Sequence, residues 1–311
     1  MERMHFIGVT TAASSMMTLF PRWVEALGVE AELTGHDLPL HAPRAAYRDI
    51  VERIRREPDT RGAVVTTHKI DLLAAARDLF DYLDPYALLC RELSSISKRG
   101  VGAAQRLEGH AKDPISSRLT WQGFVPKDHF AHTGSSVLCL GAGGAAIAIS
   151  IAVAHLSDAN DRPRRFVLVD RDPARLELIQ GIHARLEADH GIDFEYRRHD
   201  SAFENDRLMK GLEPGSVIIN ATGMGKDRPG SPLGDTAAFP QAGIVWELNY
   251  RGSLEFWHQA EAQRVSRSLK LEDGWAYFLH GWTQVIAQVF DLELTPEVFE
   301  RLKGAAEAFR P

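Results

Sequence analysis

A glycine-rich turn constrains the fold of this 311-residue chain more than any other feature. It reads Gly-Ala-Gly-Gly-Ala-Ala over 141–146, follows the strand candidate 135–140 and opens a helical pattern that runs to about Leu156. In such a turn the glycines permit a tight bend and close approach to a pyrophosphate, and the helix N-terminus favours an anion. The turn therefore predicts a dinucleotide site formed by Gly141, Ala142, Gly143, Gly144 and Ala145.

The next strand candidate, 165–169, ends at Asp170. A carboxylate there would accept hydrogen bonds from the adenosine ribose hydroxyls and repel a 2′-phosphate, which predicts NAD as the cofactor. Arg171 leaves NADP open, because an arginine at this position could accept that phosphate. A plainer interpretation of the same stretch is a helix start, with Asp172 as the cap and Pro173 in the first turn. The two interpretations are compatible.

Strand and helix patterns alternate along the chain, which predicts an α/β fold with parallel sheets. The predicted strands cover 5–9, 62–67, 135–140, 165–169, 216–220 and 243–248. The predicted helices cover 17–27 with Gly28 as C-cap, 45–56, 70–83, 145–156, 174–188 and the region from 254 onward apart from Pro296. At about 150 residues per domain, the length predicts two domains.

Composition argues against several classes of protein. The formal net charge of −6 argues against nucleic-acid binding that depends on an overall positive charge. Two cysteines fit a reducing compartment, and the histidine spacings predict no metal site. The chain shows no signal-peptide pattern and no apolar run of about 18 residues. We expect a cytoplasmic protein with no membrane association.

Lys69 follows the predicted buried strand 62–67, at the end where open α/β sheets bind their ligands. The alternative is a solvated charge at a helix start. A partly desolvated lysine can serve as a base in proton transfer. A neighbouring carboxylate would orient the lysine but would also raise its pKa, so the sequence leaves that balance open.

Several motifs, in order along almost the whole chain, resemble the shikimate/quinate dehydrogenase family. They are Ile7-Gly8 with Ser14, Val65–Lys69, 79–85, Gly109–Asp113, 141–146, 220–225, Tyr250 and Asp273-Gly274. The resemblance implies an NAD(P)-dependent oxidoreductase that transfers a hydride between nicotinamide and a ring hydroxyl or ketone. It implies Lys69 and Asp113 as the catalytic pair. It also implies cofactor contacts from Asn220, Ala221, Thr222, Gly223, Met224, Leu248 and Tyr250.

The resemblance implies a domain plan as well. Residues 1–117 would form the substrate-binding domain, 118–252 the Rossmann NAD(P)-binding domain, and 253–311 helices that pack back on the first domain. A homodimer is common in the family, and the partner would be a small cyclic hydroxy compound.

The departures from the family concentrate on its substrate-binding positions. Met16 replaces a serine, Ser94 and Ala111 replace asparagines, and Lys112 replaces a threonine. Gly281, or His280 after a one-residue shift, replaces a glutamine. We expect the Lys112 side chain to be solvated. A site that loses a buried polar partner rejects the matching substrate strongly. We therefore expect shikimate to be a poor substrate.

Five polar residues remain as candidate substrate contacts: Ser14, Ser15, Thr67, Tyr250 and Tyr277. Some of them have a purely structural alternative. Ser14 and Ser15 could do no more than cap the first helix, and Tyr277 could belong to a hydrophobic core. A second functional hypothesis is a binding or sensor protein that has lost turnover. The altered pocket favours the sensor, whereas retention of Lys69 and Asp113 favours an enzyme.

Overall fold

The computed structural model describes residues 1–226 and 228–310. These residues divide into two compact units: Met1–Asp113 together with Leu279–Arg310, and Pro114–Phe278. Each unit is built on one six-stranded sheet, so the predicted two-domain α/β fold is confirmed. Of the C-terminal segment 253–311, Leu279–Arg310 belongs to the first unit, whereas residues 253–278 belong to the second. The units are defined by compactness alone, and the functional domain limits given above stay a prediction.

The first unit contains the early strands and helices and the C-terminal ones. Its strands are β1 (Glu2–Gly8), β2 (Ala31–Asp37), β3 (Thr60–Val65), β4 (Tyr82–Leu83), β5 (Ser95–Arg99) and β6 (Arg106–His110), in the order β2-β1-β3-β5-β6-β4. Its helices are α1 (Met16–Leu27), α2 (Arg44–Arg56), α3 (Lys69–Ala76), α4 (Pro85–Cys90), the later part of α11 (Trp275–Phe290) and α12 (Pro296–Ala306).

The sheet of the first unit is mixed. β1 pairs in parallel with β2 and β3, but β5 runs antiparallel to both β3 and β6. The prediction of parallel sheets is therefore wrong for this unit. Because two antiparallel steps separate β3 from β6, these two strands point the same way, and their carboxyl ends lie at the same edge of the sheet.

The prediction of one helix across 70–83 is also wrong, because α3 ends at Ala76 and β4 lies within the same stretch. Two aspartates of that stretch bind elsewhere. The carboxylate of Asp78 accepts hydrogen bonds from Arg48 of α2 at 2.5 and 2.9 Å, and Asp81 accepts one from the Leu107 N–H of β6 at 2.7 Å. These long-range contacts override the local helical pattern.

Helices α1 and α12 pack together within the first unit. Trp23 of α1 is fully buried, and its indole Nε1–H donates to the carbonyl of Leu302 in α12 at 2.8 Å. Gly28 ends α1 in the left-handed conformation with a φ of 69°, which confirms the predicted C-cap. The C-terminal helix is thus held by a buried hydrogen bond as well as by apolar packing.

The second unit contains a parallel sheet. Its strands are β7 (Val137–Leu140), β8 (Arg165–Asp170), β9 (Asp193–Arg198), β10 (Val217–Asn220), β11 (Ile244–Glu247) and β12 (Lys270–Glu272), in the order β12-β11-β10-β7-β8-β9. Its helices are α5 (Asp113–Phe124), α6 (His129–Thr133), α7 (Gly144–Ala154), α8 (Pro173–His183), α9 (Ala202–Lys210), α10 (Glu255–Glu261) and the start of α11.

The centre of this sheet is apolar on both faces. All four residues of β7 are buried, and α7 is buried from Ala146 to Ala154, as expected of a helix that is apolar all round. β7 lies between β8 and β10, so the strand order changes direction there. The loops after β7 and β10 therefore lie at the switch point where α/β sheets bind ligands. No helix in the described part of the chain is long and apolar enough to cross a membrane.

Candidate active site and nucleotide site

Lys69 and Asp113 come together in the first unit, as the sequence predicts. Lys69 is the first residue of α3, just after β3, and Asp113 is the first residue of α5, just after β6. The Lys69 Nζ donates to Oδ2 of Asp113, and the side chains are 24% and 12% exposed. The pair forms because β3 and β6 end at the same edge of the sheet. A partly desolvated ammonium with a carboxylate partner is an arrangement suited to proton transfer.

A second carboxyl group lies behind this pair. Glu92 is 1% exposed, and among the described residues its Oε1 has no hydrogen-bond partner. Burial raises the pKa of Glu92 to about 8, the charge of Lys69 opposes the shift, and that of Asp113 adds to it. Sequence reasoning missed Glu92, because a lone glutamate between a helix and a strand has the pattern of a surface loop.

The predicted substrate residues of the first unit differ in exposure. Met16 and Ala111 are fully buried, whereas Thr67 is exposed. Ser94 is buried, and its Oγ accepts a hydrogen bond from the Lys112 N–H at 2.8 Å. A Cβ added to Gly281 would meet no atom within 4 Å, so the helix is open at this position.

Three side chains near these positions refine the sequence interpretation. The Ser14 Oγ accepts from the Met16 N–H at 3.3 Å, while Ser15 at the N-cap makes no capping hydrogen bond. The prediction that Lys112 is solvated is wrong: it is half-buried, and burial lowers its pKa although the charge of Asp84 acts in the opposite direction. The neighbouring Ala111 N–H donates to Oδ1 of Asp84 at 3.2 Å, which helps to place this segment close to a buried carboxylate.

The glycine-rich turn of the second unit has the predicted geometry. Gly141 has a φ of 106°, and an added Cβ would lie 2.6 Å from the carbonyl oxygen of Ala221, so a glycine is required. Gly143 is the N-cap of α7, where an added Cβ would meet only Arg175, at 3.9 Å. Ala146 is fully buried, as close helix–strand packing demands. The first N–H groups of α7 are available to an anion.

Asp170 lies against this turn. Its Oδ2 accepts from the Ala142 N–H at 2.8 Å, and its Oδ1 accepts from the Asp172 N–H at 2.9 Å. A carboxylate has about four acceptor sites, so these two hydrogen bonds leave acceptor capacity for ribose hydroxyls. The predicted cap is confirmed, since Oδ1 of Asp172 accepts from the Ala174 N–H at 2.9 Å with Pro173 in the first turn.

Two arginines stand near that carboxylate. Arg171 is exposed, and Arg175 of α8 has its Nη1 at 3.9 Å from Oδ2 of Asp170. Sequence reasoning missed Arg175, although a position one helical turn beyond the cap is the signal that could have found it. A phosphate near Gly143 would therefore meet positive charge as well as a helix N-terminus.

The loop after β10, residues 220–225, is ordered by buried polar groups. The Asn220 Oδ1 accepts from the Thr222 hydroxyl at 2.6 Å, and its Nδ2 donates to Oε2 of Glu247 at 2.8 Å. Asn249 Nδ2 donates to the carbonyl of Met224 at 2.9 Å. Burial raises the pKa of Glu247 to about 7. Sequence reasoning missed Glu247 and Asn249, which hold this loop through Asn220 and Met224.

The remaining predicted residues of the second unit follow β11 or begin α11. Leu248 is half-buried. A Cβ added to Gly274 would lie 2.0 Å from the carbonyl oxygen of Leu248, which explains why position 274 is a glycine. Tyr250 lies against Phe278 with ring centroids 4.8 Å apart, and Tyr277 meets Trp246 edge-on at 5.9 Å. Tyr277 therefore has an aromatic packing partner, and its role with a substrate stays a prediction.

Comparison with known proteins finds similarity to shikimate dehydrogenases. No protein-family model matches the chain. A shikimate dehydrogenase (NADP(+)) from Lactococcus lactis is 30% identical over 167 residues, which cover 52% of this chain and 56% of that relative. The chain thus spans about half the length of this relative. A second protein of that name, from Methylobacterium radiotolerans, is 27% identical over 280 residues, covering 89% of this chain and 87% of the relative.

Solved structures agree. Shikimate 5-dehydrogenase from Thermus thermophilus, in complex with NADP(H) and shikimate, matches with a TM-score of 0.69 at 22% identity, covering 98% of this chain and 100% of that one. A 5-ketofructose reductase from a Gluconobacter species matches with a TM-score of 0.70 at 18% identity, covering 97% and 98%. The resemblance to shikimate dehydrogenases that the motifs indicated is confirmed.

Proposed function

We propose that this protein is a nicotinamide-dependent oxidoreductase that interconverts a hydroxyl and a carbonyl group of a small molecule. The ion pair of Lys69 with Asp113 carries this proposal. In the oxidising direction Lys69 first loses its proton to solvent; the substrate O–H bond then breaks and its proton goes to the neutral lysine Nζ. The carbinol C–H bond breaks with its electron pair, which leaves as hydride to the nicotinamide. Asp113 orients the lysine and balances its charge.

The second unit supplies a nucleotide site that fits this chemistry. The N-terminus of α7 and Arg175 would hold the pyrophosphate, and Asp170 would accept hydrogen bonds from the adenosine ribose. The Asn220 loop shapes the site by packing on Gly141. When bound, NAD or NADP supplies the ring carbon that accepts or returns the hydride.

The proposed substrate is a ring or sugar-like hydroxy compound other than shikimate. Met16 and Ala111 offer no polar group, and Gly281 leaves open space. The same fold serves proteins with other substrates by name, such as the 5-ketofructose reductase. Cytoplasmic location and a homodimeric state are part of this proposal, supported by composition and by the family resemblance.

A substrate panel tests the proposal. The purified protein would be assayed for reduction of NAD and NADP with shikimate, quinate, their amino and deoxy analogues, and small polyols. We expect turnover on a compound other than shikimate. Efficient oxidation of shikimate would contradict the altered pocket. Nucleotide binding without turnover across a broad panel would favour the sensor, whose supporting observation is the same loss of polar groups at Ala111 and Gly281.

Asp170→Asn is expected to change the cofactor preference. Asparagine keeps one acceptor for the N–H groups of Ala142 and Asp172 but removes the charge that would repel a 2′-phosphate. The ratio of kcat/KM for NADP over NAD should rise roughly tenfold, the size expected for one charge in a partly solvated site. Asp193→Asn is the matched control, because this exposed carboxylate lies at the opposite end of the neighbouring strand β9. An unchanged ratio would remove Asp170 from the ribose site.

A further inference from the structure

The segment that carries Glu92 is wedged between the two catalytic residues. On one side the Leu93 N–H donates to the carbonyl of Lys69 at 3.3 Å. On the other, the Ser94 N–H donates to the carbonyl of His110 at 3.0 Å, and the Ser94 Oγ accepts from the Lys112 N–H at 2.8 Å. The backbone therefore holds Glu92 next to both Lys69 and the stretch that leads to Asp113.

Charge and burial set the state of this carboxyl group. With Lys69 and Asp113 paired, an ionised Glu92 would leave one net negative charge in a place that water does not reach. Such a charge is costly without hydrogen-bond donors, and among the described residues none reaches Oε1. The charges that act on Glu92 are those of Lys69 in α3 and Asp113 in α5. Two further basic groups, His110 and Lys112, lie on the segment that pairs with Ser94, and both interact with Asp84 instead.

We propose that Glu92 is a positioning residue for the proton-transfer pair: as a neutral acid it leaves the Lys69–Asp113 charges balanced, and when ionised it holds the proton on Lys69. The proposal rests on the proposed function, since it concerns the same lysine. Glu92 does not touch the substrate, because its side chain is closed off from solvent. Its ionisation disfavours oxidation, which needs a neutral lysine, and favours carbonyl reduction, which needs an ammonium.

A titration that needs no turnover tests the first half of the proposal. In protein labelled with ¹³C at the glutamate carboxyl, Glu92 should titrate near pH 8, and the signal should vanish in Glu92→Gln. Lys69→Met should move the Glu92 titration upward and Asp113→Asn should move it downward, because each removes one of the two charges that act on it. Glu247 in the other unit, whose pKa burial raises to about 7, is an internal control whose titration should not move.

A pH profile tests the second half. In Glu92→Gln the pH at which alcohol oxidation becomes fast should fall by about one unit, the order expected of one charge removed at effective dielectric ~20. KM should stay unchanged. Glu92→Met, which also removes the charge, should show the same displacement, whereas a purely structural role would lower kcat at every pH and leave the profile in place.

The outcomes separate the two proposals. A Glu92 titration near the ordinary glutamate value, or one that ignores Lys69→Met, overturns the positioning role even if the enzyme is active. An unmoved pH profile in both Glu92 variants overturns it as well. A protein with the expected titrations that turns over no substrate leaves the charge coupling established and contradicts the proposed function instead.

Discussion

Lys69→Met is expected to lower kcat roughly 10²- to 10⁴-fold, the range that a general acid–base group contributes. Methionine matches the length of the side chain but can neither take nor return the hydroxyl proton. Nucleotide affinity should be unchanged, because the glycine-rich turn belongs to the other unit of the chain. The measurement is steady-state turnover with the substrate found by the panel, together with the dissociation constant of NAD or NADP from fluorescence titration.

Two further variants complete that experiment. Lys69→Arg keeps the positive charge, yet a guanidinium does not lose its proton in proteins, so turnover should fall to a similar extent. Lys303→Ala is the control, because this lysine pairs with Glu300 on the surface of α12 in the same unit. Turnover of Lys69→Met within a few-fold of the wild type would show that Lys69 does not transfer the proton.

The parts of the molecule that the sequence predicted are those encoded locally. The glycine-rich turn needs a glycine at 141 because of its φ and the nearness of Ala221, and short apolar strands such as β7 are recognisable by themselves. Lys69 could be found because a strand end in an α/β sheet is a known position for ligands. Its partner Asp113 was found through the family resemblance, since 44 positions separate the two residues.

The parts that the sequence did not predict depend on burial and on distant contacts. β5 is rich in serine and lysine, and it belongs to the sheet because β3 and β6 flank it. Glu92 and Glu247 have the residue type of the surface, yet the fold buries both completely or almost so. Arg175 is a surface arginine by pattern, and the fold places its Nη1 3.9 Å from the position that a Cβ on Gly143 would take. Whether a charged side chain is buried, and which charges surround it, depends on the packed fold and cannot be inferred from the local sequence pattern.

His183 is an example with a large expected effect on stability. It is 6% exposed, it stacks on Phe194 at 3.8 Å, and its two ring nitrogens lie 2.8 Å from the Ser150 Oγ and the Tyr196 hydroxyl. Since Ser150 also donates to the carbonyl of Ile147, Nε2 donates to Ser150 and Nδ1 accepts from Tyr196. The neutral ring thus satisfies its neighbours, and burial lowers the pKa of His183 to about 3, with a smaller contribution from His190.

We expect acid to destabilise the protein through this residue. The unfolded state binds a proton at the ordinary histidine pKa near 6.5, whereas the folded state does not until about pH 3, so stability falls as pH falls between these values. At about 1.4 kcal/mol per pH unit, His183 should cost about 2 kcal/mol of unfolding free energy between pH 7 and 5. His5 and His280, whose pKa values burial lowers to about 4, act in the same direction in the other unit.

Urea unfolding of wild type and His183→Gln at pH 7 and 5 measures this contribution. Hydrogen exchange of the β8 and β9 amides serves as a second measurement specific to the second unit. Glutamine can still hydrogen-bond to Ser150 and Tyr196 but does not titrate, so the variant should be less stable at pH 7 yet lose about 2 kcal/mol less than the wild type on acidification. His132→Gln, at an exposed histidine, should lose as much as the wild type. An equal loss in His183→Gln would mean that His183 is protonated in the folded state, and that the Tyr196 hydroxyl turns to accept from it.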